Sequence, residues 1–330
     1  MRPDPGQNNQ ASVAPSEVIL FSSPKPRSHG TEAAQAAAFC SWRRVFPNTE
    51  ILLFGDTVSW RAEMERSGLE AGGPLESSEG GGEVIRGMFQ SVARRAGEQV
   101  CLYLNSDILL DDSAGKMVRQ LQSMPGSWLG SARRWCLPPW AGEPPAREEE
   151  WREFFKRADQ AGRWGEACAL DLFLFRGLSL DAMPPFFIGH RGWDNWMILH
   201  ARQQGIPVLD LSRGVRVIHC DHDYRYAKGN SAPSRRDGPL EDANLRMLGG
   251  EERLCHLGHA THEWREGAVH PRQGWGMVQR NMELWQIRSP AQGWWWRPAR
   301  RLFHPLLKAW QARTTREEDW TRKCERTPLP

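Results

Sequence analysis

Short apolar runs closed by turn residues recur along the chain. Residues 18–21 are apolar and stop at Ser22-Ser23-Pro24, residues 51–54 stop at Gly55-Asp56, and residues 100–104 stop at Asn105-Ser106-Asp107. Runs bounded in this way predict strands. An Ala-rich stretch opened by Thr31 and extending to residue 46 predicts a helix, as do residues 83–95. Strands alternating with helices predict a mostly parallel sheet. The Gly- and Ser-rich piece over 72–82 has too little apolar surface to order itself and reads as a flexible loop.

The second half of the pattern is less regular. Prolines punctuate 138–145, and 146–161 then predicts a charged helix with Trp151, Phe154 and Phe155 at helical spacing. A strand over 169–175 and a loop over 184–192 follow. Trp193, Trp196, Met197 and His200 recur at i, i+3, i+4 and i+7, which predicts one buried helical face over 193–202. Strands over 208–211 and 215–219 complete the expected core. Beyond residue 228 the chain turns polar, with a loop over 229–233 and a helix over 240–248. No internal repeat is visible.

At 330 residues the chain can bury one substantial core and an appendage. A net charge of +3 from 43 basic and 40 acidic side chains gives no global field for nucleic acid, which is not an expected partner. Seven cysteines without a C-x-x-C pair read as buried or free thiols of a reducing cytoplasm. The first residues carry no apolar segment behind a positive start, and no apolar run approaches the roughly 20 residues of a membrane span. Neither secretion by a signal peptide nor a transmembrane span is expected.

In an open parallel sheet the carboxyl ends of the strands line a ligand crevice. Here those ends carry residues 22–25, Asp56, residues 105–107 and residues 219–224. Asp107 suits a hard cation that clamps a diphosphate, or else caps the helix that follows. His219, Cys220, Asp221, His222, Asp223 and Tyr224 place two imidazoles and two carboxylates directly after an apolar strand, so a histidine there can complete a metal site begun by Asp107. Asp194 stands at the start of a helix. It either takes a proton from an acceptor hydroxyl, with Trp193 as a wall for a sugar ring, or caps the helix.

In combination these motifs resemble a bacterial glycosyltransferase of the GT-A, nucleotide-diphospho-sugar transferase, fold, family 2-like. The likeness covers roughly residues 18–264. It is carried by residues 21–26, 53–56, 103–108, 171–175 and 184–189, by Gly192-Trp193-Asp194-Asn195-Trp196, and by 217–219 with 222–224; residues 260–262 also look similar. The resemblance implies an α/β, GT-A-like, Rossmann-type and mostly parallel sheet flanked by helices, with a C-terminal helical extension. It divides the chain into a disordered leader (1–16), a catalytic domain (17–235), an extension packed on it (236–290) and a basic, Trp-rich amphipathic tail (291–330).

It further implies a hexosyltransferase-type enzyme using a nucleotide-sugar donor and a glycan, lipid-linked or small-molecule acceptor hydroxyl. Ser23, Pro24 and Asp56 would lie around the nucleotide. Asn105, Asp171, Trp193, Asn195 and Tyr224 would face donor or acceptor, and Asp194 would be the base of an inverting reaction. A divalent metal, Mn²⁺ or Mg²⁺, would sit on Asp107 with His219 or His222, although Asn105-Ser106-Asp107 offers one acid where many relatives have two. A nucleotidyltransferase would carry a Gly-rich basic loop after the first strand, which residues 22–26 lack; a non-catalytic sugar-nucleotide-binding scaffold stays open. Residues 294–313 can present Trp295, Leu302, Phe303, Leu306 and Trp310 on one face beside Arg297, Arg300, Arg301 and Lys308. They read as a surface contact with the inner face of the cell membrane or as a helix docked on the domain. The expected location is therefore cytoplasmic, and peripheral on that membrane only under the first of these two readings.

Overall fold

The computed structural model describes residues 18–27, 30–78, 81–221 and 238–288. The expected leader and Trp-rich tail, with its membrane contact, lie outside the described residues.

The chain runs through β1 (Val18–Ser22), α1 (Glu32–Val45), β2 (Glu50–Phe54), α2 (Arg61–Ser67) and β3 (Glu70–Gly73). The short strands β4 (Glu76–Ser77) and β5 (Glu83–Val84) precede α3 (Arg86–Ala96), β6 (Val100–Leu104), β7 (Ile108–Leu110) and α4 (Asp112–Gln122). Next come β8 (Trp128–Ser131), β9 (Arg134–Leu137), α5 (Glu148–Ala161), β10 (Arg163–Trp164) and β11 (Leu172–Arg176). The last described part holds α6 (Trp193–Gln203), β12 (Val208–Asp210), β13 (Val217–Cys220), α7 (Pro239–Leu248), β14 (His262–Arg265), β15 (Ala268–Pro271) and α8 (Trp275–Arg288). None of the described helices is long and apolar enough to cross a membrane.

The main sheet has nine strands in the order β15-β14-β12-β8-β11-β6-β1-β2-β3. Five of its eight pairings are parallel; β11 runs against both β6 and β8, and β15 against β14. The expected mixed α/β, mostly parallel architecture is thus what the chain adopts. Its apolar runs are continuous because the sheet is covered on both faces. Val18 and Leu20 of β1 enter the cluster under α1, α4 and α5, whereas Ile19 and Phe21 enter the cluster under α3 and α6. Leu102 and Leu104 of β6 divide from Cys101 and Tyr103 in the same way.

Three expectations change. The segment over 72–82 holds the end of β3 and the strand β4, which pairs antiparallel with β5 just beyond it, rather than a bare flexible loop. Glycine supports this order: a Cβ on Gly72 would lie 2.5 Å from the ring of Phe54, which is buried. The strand over 215–219 belongs to a second sheet, β10-β9-β13-β7, and not to the main one. The part expected to pack on the domain as a helical extension also donates β14 and β15 to the main sheet's edge.

Helix α1 links the sheet to the loops at its rim. Trp42 Nε1 donates to the carbonyl of Ile108 at 2.7 Å, and Ser41 Oγ accepts from the amide of Leu110 at 3.1 Å, so α1 holds both ends of β7. Gly72→Ala is expected to destabilise the fold by about 1–3 kcal/mol, because a pinned aromatic plate must move to admit one methyl. Urea unfolding followed by circular dichroism checks this, and an unchanged midpoint would contradict it.

Candidate active site

Sheet geometry decides which polar residues meet. β1 and β6 are parallel, so Ser23 to Lys25 and Asn105 to Asp107 leave the sheet at the same edge. β11 is antiparallel to β6, with Leu172 opposite Leu104, which brings Asp171 to that edge by its amino end. β13 pairs with β7 so that His219 stands opposite Ile108, one residue from Asp107.

Four side chains lock the first cluster. Asp107, 1% exposed, accepts an ion-pair hydrogen bond from the Nζ of Lys25. His219 Nε2 lies 3.5 Å from the same carboxylate oxygen, and its Nδ1 lies 3.5 Å from Asp221 Oδ1. The backbone of Lys25 is clamped in turn: its N–H donates to Gln35 Oε1 (2.8 Å) and Ser106 Oγ (3.3 Å), while its carbonyl accepts from Trp60 Nε1 (3.2 Å) and Gln35 Nε2 (3.3 Å). The cap of α4 is Asp111, whose side chain accepts from Ser113 N–H at 3.0 Å, so Asp107 does not have the capping role.

A second cluster surrounds Asp171. Asn105 Nδ2 donates to Asp171 Oδ1 at 2.7 Å, Tyr103 Oη donates to Asn105 Oδ1 at 3.0 Å, and Arg134 lies 3.5 Å from Asp171 Oδ2. Burial first, then the charges of Asp171, Asp107 and Asp194, drive the Tyr103 phenol far above its ordinary value. Tyr103 also packs against Trp193 at 5.2 Å, which brings the start of α6 and Asp194 to this cluster.

Asp194 differs from its neighbours. It stands in the first turn of α6 and accepts from the amides of Asn195 (2.9 Å) and Gly192 (3.3 Å). Burial nevertheless outweighs those bonds and pushes its carboxyl up to about 6, with Asp171 adding to the rise. Among the described residues no basic side chain pairs with it.

The other expected site residues divide. Ser23 and Pro24 are buried at the end of β1, and a Cβ on Gly55 would come within 3.3 Å of Ser23 Oγ, so the segment reaching Asp56 adjoins them. Asp56 is exposed, and its carboxyl is held below its ordinary value by the hydroxyl and amide of Ser59. Trp193 is a core residue: it is 5% exposed, with Tyr103 at 5.2 Å and Phe89 and Phe173 each at 5.7 Å, which leaves no ring face for a sugar. Asn195 is buried too, and its Nδ2 donates to the carbonyl of Cys255 at 2.7 Å. His222 and Tyr224 lie outside the described residues. Sequence reasoning passed over Lys25, Tyr103 and Arg134; the only signal for Lys25 was its place directly after the first strand.

A Mn²⁺ or Mg²⁺ ion on Asp107 would take about one or two protein ligands together with the donor's phosphates and waters, and His222, one of the three expected ligands, lies outside the described residues. Here Asp107 is already engaged by an ammonium, and among the described residues no three His, Cys, Asp or Glu side chains gather to hold an ion.

No family model and no curated protein matches the chain. Among solved structures, a protein of Desulfovibrio desulfuricans G20, provisionally described as a nucleotide-diphospho-sugar transferase, is 13% identical, with 71% of this chain and 98% of that one covered at a TM-score of 0.37. TarS of S. aureus in complex with UDP-GlcNAc is 14% identical over 39% of this chain and 36% of its own, at a TM-score of 0.27. The chain therefore spans little more than a third of that TarS structure. TarS alone gives 10% identity, 70% and 68% coverage and a TM-score of 0.32.

A carboxyl that binds its proton more tightly in the folded chain costs stability as pH rises from its unfolded value, 3.8, to its folded one, about 6. Asp194→Asn is therefore expected to gain stability over the parent progressively between those values and to keep a constant advantage above them. Urea midpoints of both proteins across pH 4 to about 7 test this; a difference that shrinks with rising pH would contradict it.

Proposed function

We propose that the chain is a glycosyltransferase that moves a sugar from a nucleoside diphosphate to an acceptor hydroxyl, with Asp194 as the base. The observation that carries this is the contrast between three carboxylates grouped at one sheet edge. Asp107 and Asp171 are each paired with a basic side chain, whereas Asp194 has no such partner among the described residues and is raised to about 6. A carboxylate close to neutrality in proton affinity is a better base than an ordinary one and is still ionised at pH 7. The order of the motifs along the chain, which resembles the nucleotide-diphospho-sugar transferases, supplies the substrate class.

In this reaction the acceptor oxygen attacks the anomeric carbon while the bond from that carbon to the phosphate oxygen breaks. The electron pair leaves with the nucleoside diphosphate, and the acceptor's proton passes to Asp194. A single displacement of this kind inverts the anomeric centre. Asn105 and Arg134 fix Asp171 at the rim, where its carboxylate is suited to hydrogen bonds with sugar hydroxyls.

Thermal-shift measurements with UDP-, GDP-, dTDP- and CDP-sugars are expected to raise the midpoint for one nucleotide class. With that donor, Asp194→Asn is expected to slow release of the nucleoside diphosphate by about 10²- to 10⁴-fold, and the parent's rate is expected to climb as pH rises through about 6. NMR of the first-formed product should show inversion; a retained configuration would remove Asp194 from this role.

A further inference from the structure

We propose that Lys25 does the work of a divalent cation, binding the donor's diphosphate through its ammonium, so that donor binding needs no metal. This rests on the transferase reading above and adds to it how the leaving group is held.

The first support is position. Lys25 leaves the sheet at the carboxyl end of β1, where the crevice of a parallel sheet lies. Its side chain is 26% exposed while the Asp107 it pairs with is 1% exposed, so a partly exposed ammonium stands over a buried anion. The neighbouring cation is turned elsewhere: the Arg27 guanidinium stacks on Trp60 at 4.4 Å and pairs with Glu63.

The second support is rigidity. Four hydrogen bonds hold the peptide groups of Lys25, and the three side chains that make them, Gln35, Trp60 and Ser106, are at most 1% exposed. Gln35 is fixed in turn by a 2.9 Å bond to Thr31 Oγ1. A surface lysine is a flexible point charge on a long stem; one whose backbone is anchored and whose head is held by a buried carboxylate is pre-organised. Asp107 and His219 are then positioning residues that aim the lysine.

The third support is charge. A divalent ion on Asp107 would lie against an ammonium on the same carboxylate, and like charges repel. The ammonium instead offers donors to the non-bridging phosphate oxygens. When the bond from the anomeric carbon to the phosphate oxygen breaks, the negative charge grows on that oxygen beside a fixed positive one.

The test is calorimetric titration of the full chain with UDP, GDP, CDP and dTDP, each in EDTA and in Mn²⁺. One nucleoside diphosphate is expected to bind with the same affinity in both buffers. Lys25→Met is expected to weaken that binding about 10- to 100-fold, the worth of a charged hydrogen bond, while Lys25→Arg keeps more of it. Circular dichroism and melting curves establish that each variant folds, and the comparison of EDTA with Mn²⁺ needs no variant. Binding that appears only with Mn²⁺, or a folded Lys25→Met that binds as the parent does, would overturn the lysine's role and leave the transferase reading intact. No binding of any nucleoside diphosphate in either buffer would overturn both.

Discussion

Because β1 and β6 bury side chains on both faces, polar groups in the middle of this sheet have nowhere to sit except at the strand ends. An unpaired polar group in either apolar layer would cost several kcal/mol. Parallel pairing of β1 with β6 then sends both chains out at one edge, and the antiparallel β11 adds Asp171 there by its amino end. Lys25, Asn105, Asp107 and Asp171 are gathered from distant parts of the sequence by that one constraint.

Helix α1 converts the gathering into a fixed arrangement. Its apolar side is mostly alanine with Phe39 and Trp42, which lets the helix lie close to the sheet. Gln35, Ser41 and Trp42 then reach the two loops beyond the strands: Gln35 holds Lys25, and Ser41 and Trp42 hold β7 just after Asp107. Each bond contributes only about 1 kcal/mol to stability. Their shared effect is geometric, since the loops carrying the ammonium and its carboxylate are set by a single rigid element.

The sheet's long apolar strands were readable from the sequence because each run was closed by a turn signal, as at Ser22-Ser23-Pro24 and Asn105-Ser106-Asp107. The short strands were not: β7, β9 and β10 have three, four and two residues and owe their pairing to partners far along the chain. Asp107 and Asp194 could be singled out as acids at element ends, whereas Asp171 lay inside an expected strand and entered only through the resemblance. Trp193 could not be assigned, because an aromatic residue opening a helix fits a binding wall and a core equally well; the rings of Phe89, Tyr103 and Phe173 decide for the core. Lys25 was visible only as part of a loop, since Asp107, which gives it meaning, is 82 positions away.

The three carboxylates show why the site is chemically uneven although its residues are alike. Asp107 has an ammonium and Asp171 has Asn105 and Arg134, so each has a partner for its charge. Asp194 has only backbone amides at the start of α6, and these do not compensate for its burial and for the nearby Asp171. Three anions at one edge would repel one another and any incoming phosphate. Pairing two of them with cations removes most of that repulsion and leaves the remaining imbalance on a single side chain. The same arrangement therefore makes the edge tolerable for a diphosphate and sets Asp194 apart as the carboxylate without a cationic partner among the described residues.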